Sequence, residues 1–206
     1  MDNINSVQSV LGKTDIYLAD QIMKGRYNAG ETILDAGCGS GRNLHWFYQN
    51  GYNITGIDIY ETAIEELKIK FSGMPASRLQ VSEIENTPFT DCFFQHIICS
   101  AVLHFANDAA HFNDMLAEMI RVLKPGGTLF IRMASDIGIE NKVELIGNGV
   151  YKIPDGSTRF LLTRPLLASC LKQQQLALAE PLKTVNVDDV RCMSTLLLQK
   201  DGTYCF

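Results

Sequence analysis

No apolar run in this sequence approaches the roughly twenty residues that a helix needs to cross a bilayer. The opening Met1-Asp2-Asn3-Ile4-Asn5 also lacks the basic start and apolar stretch of a secretory signal. The expectation is a cytoplasmic protein without a membrane partner. The six cysteines, Cys38, Cys92, Cys99, Cys170, Cys192 and Cys205, include no C-x-x-C pair, so the usual spacing of a metal or redox site is missing and reduced thiols are expected. Proline is scarce, no Pro/Gly/Ser-rich linker appears, and 46% of the residues are hydrophobic, which predicts one domain over 1–206 with a sizeable core. A basic excess is missing too. The net charge of −5 would oppose a nucleic-acid partner unless basic side chains cluster in space.

What the sequence does have is three alternate glycines after an apolar run. The segment Ile33-Leu34-Asp35-Ala36-Gly37-Cys38-Gly39-Ser40-Gly41-Arg42-Asn43 reads as a buried strand, a bare-backbone turn and a helix start. Such a turn lets a ligand approach the main chain because no Cβ intervenes. The spacing is G-x-G-x-G rather than the G-x-G-x-x-G that seats a pyrophosphate, no Gly-Lys-Ser/Thr follows, and Asp35 would repel phosphate. A carboxylate there suits the cationic amino-acid end of S-adenosylmethionine (SAM), which carries an ammonium and a sulfonium and no phosphate.

Strands and helices alternate on either side of this loop. Strands are predicted near 32–36, 53–58, 78–82, 94–100 and 127–134, and helices near 41–50, 61–71, 108–123 and 164–175. Phe112, Met115, Leu116, Met119, Ile120 and Leu123 follow the spacing of one helix face, with Pro125 placed to stop that helix. Two strand-like runs, Leu182 to Val187 and Arg191 to Gln199, flank Asp188-Asp189 and predict a hairpin. The expected fold is a doubly wound α/β domain. Its mostly parallel seven-stranded sheet carries helices on both faces and ends in a C-terminal antiparallel hairpin. An amphipathic helix from Thr14 to Lys24 is expected within an N-terminal lead-in spanning 1–30, and residues 135–163 interrupt the alternation as an expected substrate lid.

The chain resembles the class I, Rossmann-like SAM-dependent methyltransferases in five motifs that occur in order between residues 31 and 134. These are the glycine loop, Gly56-Ile57-Asp58-Ile59, the stretch Val81 to Phe89, the fourth strand Phe94 to Phe105, and Arg121 to Ile131 around Pro125-Gly126-Gly127. The resemblance implies methyl transfer from SAM, with S-adenosylhomocysteine (SAH) as product. It places Asp35, Ala36, Gly37, Cys38, Gly39, Asp58, Ile59, Ser82, Glu83, Ile84 and Ser100 around the cofactor. Asp58, an acid about twenty residues past the glycines, stands where a carboxylate takes both ribose hydroxyls. Two positions depart from the family pattern: Thr87 replaces a leucine, and Gln95 replaces an acid at the start of the fourth strand.

For chemistry, His104 just past the fourth strand is the candidate general base, and Arg132 interrupts the apolar fifth strand near its site end, where it would either bind an anionic acceptor or neutralise a buried carboxylate. Tyr17, Tyr151 and Arg159 are the candidate substrate contacts, and no metal is expected. The ending Gly41-Arg42-Asn43 is similar to that of tellurite-resistance methyltransferases, which favours a small-molecule acceptor over a macromolecule. A basic surface around Lys13, Lys24 and Arg26 would instead favour RNA or protein, and a SAM-binding protein without transferase activity would show the same cofactor motifs.

Overall fold

The structure is a computed structural model, and it describes residues 7–202. The first six residues of the lead-in and Cys205 lie outside the described residues.

Strands β1 (Thr32–Ala36), β2 (Asn53–Asp58), β3 (Leu79–Val81), β4 (Phe94–Ser100) and β5 (Leu123–Ser135) run parallel. Within each of β1, β2 and β4 nearly every residue is buried, as a sheet covered on both faces requires. Three short strands, β6 (Glu144–Gly147), β7 (Val150–Lys152) and β8 (Thr158–Phe160), follow and are described below. Beyond them come β9 (Leu176–Leu178), β10 (Lys183–Val187) and β11 (Arg191–Lys200). The strand order is β10-β11-β5-β4-β1-β2-β3, with β11 antiparallel to β5 and β10 antiparallel to β11. The expected seven strands and closing hairpin are therefore present, and β9 adds a short eighth strand on β11.

The covering helices are α1 (Val7–Leu11), α2 (Ile16–Met23), α3 (Leu44–Gln49), α4 (Glu61–Lys70), α5 (Ala109–Val122) and α6 (Arg164–Gln173). Leu18, Leu44, Phe47, Ile64 and Leu67 pack with Ile33, Ile54, Ile98, Phe130 and Leu197 on one face of the sheet. Phe112, Met115, Leu116, Met119, Leu167 and Cys170 pack with Leu34, Ile97, Leu129, Ile131 and Leu196 on the other. Alternate residues of each strand thus feed two cores, and each such buried side chain contributes about 1.5–3 kcal/mol.

Three regions differ from the sequence reading. The fifth strand starts at Leu123, directly after α5, and not at residue 127. Phe94 pairs with Leu123 and His96 with Thr128, so Pro125, Gly126 and Gly127 bulge out within the strand instead of separating it from the helix. Within residues 135–163, β6, β7 and β8 form a separate three-stranded antiparallel sheet where no strand was anticipated. Asn148 and Gly149, both at positive φ, make its two-residue turn. Finally, Cys38, Cys99, Cys170 and Cys192 are free and buried, but Cys92 is disulfide-bonded, contrary to the expectation of reduced thiols throughout. Among the described residues no helix is long and apolar enough to cross a membrane.

Candidate active site

The carboxyl ends of β1, β2, β4 and β5 form one rim, and the chemistry-bearing residues gather there. At the end of β1, the N–H groups of Gly37 and Cys38 donate to the Ile57 carbonyl, both at 2.9 Å, which fastens the glycine loop to β2. Gly37 has φ +78, and a Cβ there would lie 2.4 Å from Val102 Cγ2, so this glycine answers a packing demand. Gly39 also has positive φ, yet nothing lies within 4 Å of where its Cβ would be. Its backbone faces open space, as close approach of a ligand requires.

Asp58, at the end of β2, accepts the Gly39 N–H at 2.8 Å on Oδ2 and the Tyr60 N–H at 3.1 Å on Oδ1. Each oxygen keeps a further acceptor position. Asp35 lies beneath the loop, 2% exposed, and its Oδ2 has no partner. Burial pushes its carboxyl up to about 7; the Arg42 guanidinium opposes that shift and the Asp58 charge adds to it. Cys38 is buried, and burial pushes its thiol up far above the ordinary range, which leaves it inert.

The loop after β3 carries Ser82, Glu83 and Ile84. The Ser82 N–H donates to the Asp58 carbonyl at 3.0 Å, Ile84 is buried in the core, and Glu83 is exposed. Glu85, two residues beyond Glu83, meets His111 Nε2 at 3.1 Å. Thr87 is 8% exposed and donates through both its N–H (2.8 Å) and its Oγ1 (2.6 Å) to Glu118 Oε1 on α5. A leucine could not make the second of these bonds, so the departure from the family pattern ties this loop to α5. Glu118 is held in turn by Arg121, whose Nη2 also donates to the Phe89 carbonyl.

At the ends of β4 and β5 the rim turns cationic. Asp15, the cap of α2, is 4% exposed and accepts the Tyr17 N–H at 3.0 Å on Oδ1. Its Oδ2 accepts from Arg132 Nη1 (3.1 Å) and Ser100 Oγ (3.3 Å), and Arg42 Nη2 lies 3.7 Å away. Arg42 donates to Ser100 Oγ at 3.1 Å, and the Arg132 guanidinium lies over the Tyr17 ring at 5.4 Å. The Asp15 N–H donates to Asn43 Oδ1 and Thr14 Oγ1 donates to the Arg42 carbonyl, so the start of α2 is bolted to the end of the glycine loop. Sequence reasoning missed Asp15, although an aspartate immediately before an amphipathic helix is an N-cap signal.

His104 sits in a tight turn, Leu103–Phe105, and is 8% exposed. The Ala134 N–H donates to its Nδ1 at 3.3 Å, which assigns the proton of the neutral ring to Nε2. Burial, then Arg159 and Arg132, lowers its pKa to about 4. A ring whose lone pair is occupied and whose conjugate acid is this strong does not suit the general base expected from the sequence; at neutral pH it offers an N–H. Arg159 on β8 lies over the Phe105 ring at 5.1 Å, and Tyr151 on β7 pairs with it in register. Arg132 thus meets Tyr17 of α2, while Phe105 lies between the His104 ring, 4.4 Å away, and Arg159, which pairs with Tyr151 in the three-stranded sheet. A cavity of about 290 Å³ lined by Asp91, Ile120, Arg121, Gln173 and Lys200 lies beside the start of β4, at the other end of the sheet, and contains none of these residues.

Residues 34–131 match the family described as methyltransferase domain. The chain is 27% identical over 170 residues to a malonyl-[acyl-carrier protein] O-methyltransferase of Serratia marcescens, covering 81% of this chain and 62% of that protein. It is 28% identical over 134 residues to a ubiquinone biosynthesis O-methyltransferase of Pseudomonas paraeruginosa, covering 60% and 56%. The chain therefore spans less than two thirds of the length of these curated relatives. A SAM-dependent methyltransferase of Methanosarcina mazei shares the fold with a TM-score of 0.71 at 20% identity, over 88% of this chain and 98% of that one. Over residues 34–131 the chain is thus similar to methyltransferase domains, and its fold is shared with a SAM-dependent methyltransferase.

Proposed function

We propose that the protein transfers a methyl group from SAM to a small-molecule acceptor. The reading is carried by one juxtaposition, the open backbone of Gly39 held directly against the Asp58 carboxylate. In this reading Asp58 takes the ribose hydroxyls on its remaining lone pairs, and the unpartnered Oδ2 of Asp35 answers the ammonium. Ile59, more than half exposed, and Ile84 border the adenine with Ser82 and Glu83, and Ser100 borders the methionine end. When bound, SAM supplies a methyl already activated by the sulfonium, so the protein's share of the work is alignment and exclusion of water. Tyr17 from above and the sheet carrying Tyr151 and Arg159 roof the acceptor side.

A small acceptor is favoured over RNA because two of the three basic residues that could form a nucleic-acid surface, Lys24 and Arg26, are paired with carboxylates. Lys24 pairs with Asp20 and Glu180, and Arg26 pairs with Glu180. The test is to incubate the protein with methyl-labelled SAM and a cell extract split by size. Label in the small-molecule filtrate is the expected result. Label in the macromolecular fraction would overturn the acceptor class, and SAM binding without label in either would point to a non-catalytic SAM-binding protein.

A further inference from the structure

The acceptor side of the rim gathers three guanidinium groups, with Asp155 acting on Arg159 and Asp35 on Arg42 only through space. Arg42 and Arg132 share a single carboxylate, Asp15, and Arg159 donates only to the carbonyl of its neighbour Thr158 among the described residues. The Nε of Arg132 is buried and has no hydrogen-bond acceptor, a loss the fold would not retain without something to offset it. His104 meets the N–H of Ala134, two residues beyond Arg132 on the same strand, with one ring nitrogen and so carries its proton on the other. Both Arg132 and Arg159 are near enough to disfavour a positive charge on His104. The donors are therefore all of one kind: two guanidinium groups and a neutral imidazole N–H, arranged around the end of β5.

We propose that the acceptor carries a carboxylate, bound by Arg132 and Arg159 with the Nε2–H of His104 as a third donor. The inference rests on the methyltransferase reading and goes beyond it by naming the acceptor's charge. It replaces proton removal by His104 with recognition: His104, Arg132 and Arg159 hold the acceptor by its anionic group while the methyl is delivered elsewhere on the molecule or to that group. Guanidinium forks match a carboxylate in geometry as well as charge, and the half-buried positions of Arg132 and Arg159 strengthen each such bond. The other carboxylate that could use these donors is the one on the cofactor's own methionine end, and the test separates the two.

The protein saturated with SAH is titrated calorimetrically with acetate, malonate and benzoate, and in parallel with the matching neutral amides. At least one carboxylate is expected to bind about tenfold or more tightly than its amide, and Arg159→Gln is expected to remove that preference while leaving SAH affinity within about twofold. His104→Gln, which restores an N–H donor, is expected to keep most of the preference, whereas His104→Leu loses it. Absence of any carboxylate preference, or a preference that survives in Arg159→Gln and Arg132→Gln alike, overturns the proposal. So does an Arg132→Gln variant that binds SAH about tenfold more weakly but binds 5′-methylthioadenosine, which lacks the amino-acid carboxylate, unchanged, since that result gives the donors to the cofactor. Failure of the unaltered protein to bind SAH would instead strike the methyltransferase reading itself.

Discussion

Asp15 Oδ2 and Arg132 Nη1 meet at 3.1 Å although 117 positions separate them in sequence. The contact pins the first turn of α2 over the end of β5, and the carboxylate is almost fully buried. Asp15→Ala removes the helix cap and strands two guanidinium groups, so it is expected to cost about 2–4 kcal/mol in a urea titration. Asp15→Asn keeps the cap and loses only the charge, and its cost should be roughly half as large. Equal costs for the two variants would show that the cap contributes nothing beyond the ion pairs, and a cost-free Asp15→Asn that the ion pairs contribute nothing.

Two glycines of one loop should fail in different ways. Gly37→Ala places a methyl against Val102 and is expected to destabilise the protein by about 2 kcal/mol or more. Gly39→Ala meets no neighbour, so the expected loss of stability is only about 1 kcal/mol from its positive φ, whereas SAM affinity falls by about tenfold or more. Paired melting curves and SAM titrations check both.

Asp35 should make stability depend on pH in an unusual direction. Its folded-state pKa of about 7 lies above the unfolded value of 3.8, so the unfolded chain releases the proton first. The contribution is full below about pH 4 and is lost as pH rises towards 7, at up to about 1.4 kcal/mol per pH unit. Asp35→Asn should abolish that slope in denaturant titrations run between pH 4.5 and 7 in the absence of SAM. The SAM ammonium favours the ionised form, so binding should release a proton near pH 6.5, visible as a buffer-dependent heat in calorimetry.

Thr87→Val, nearly equal in shape, removes one of two bonds to Glu118. A cost of about 1–2 kcal/mol is expected, together with weaker SAM binding as the loop carrying Ser82 to Ile84 loosens. A Thr87→Ser variant should restore both, and a stability loss without any change in SAM affinity would separate the loop from the site.

Asp58→Ala should weaken SAM binding by about 1.5–3 kcal/mol, since a charged acceptor of two hydroxyl bonds is lost. Unchanged affinity in a calorimetric titration would remove Asp58 from the ribose site.

Much of this architecture could be read from local pattern. The glycine loop, the burial of β1, β2 and β4, and the apolar face of α5 each follow from residues within one element, and the sheet followed from their alternation. The three-stranded sheet was not read, because strands of three or four residues show no period; yet Asn148-Gly149 between Ile146 and Val150 was a hairpin signal in plain view. Asp15 could be read as a cap but not as the partner of Arg132, because that pairing exists only once β5 and α2 are packed. The state of His104 was beyond sequence altogether. It is set by the backbone N–H of Ala134, and every non-proline residue carries such a group.

The position of β11 has a consequence for synthesis. Residues 191–200 lie between β5 and β10, and Leu196, Leu197 and Leu198 enter the cores on both faces, so neither core is complete without them. A nascent chain that has already made its glycine loop, its acidic residues and its rim still presents β5 as a bare edge, thirteen residues long, to whatever strand is nearby. The ribosome must release residues 191–200 before that edge is sealed, so a stall shortly before them would leave a chain with every site residue present and the greatest exposure to aggregation.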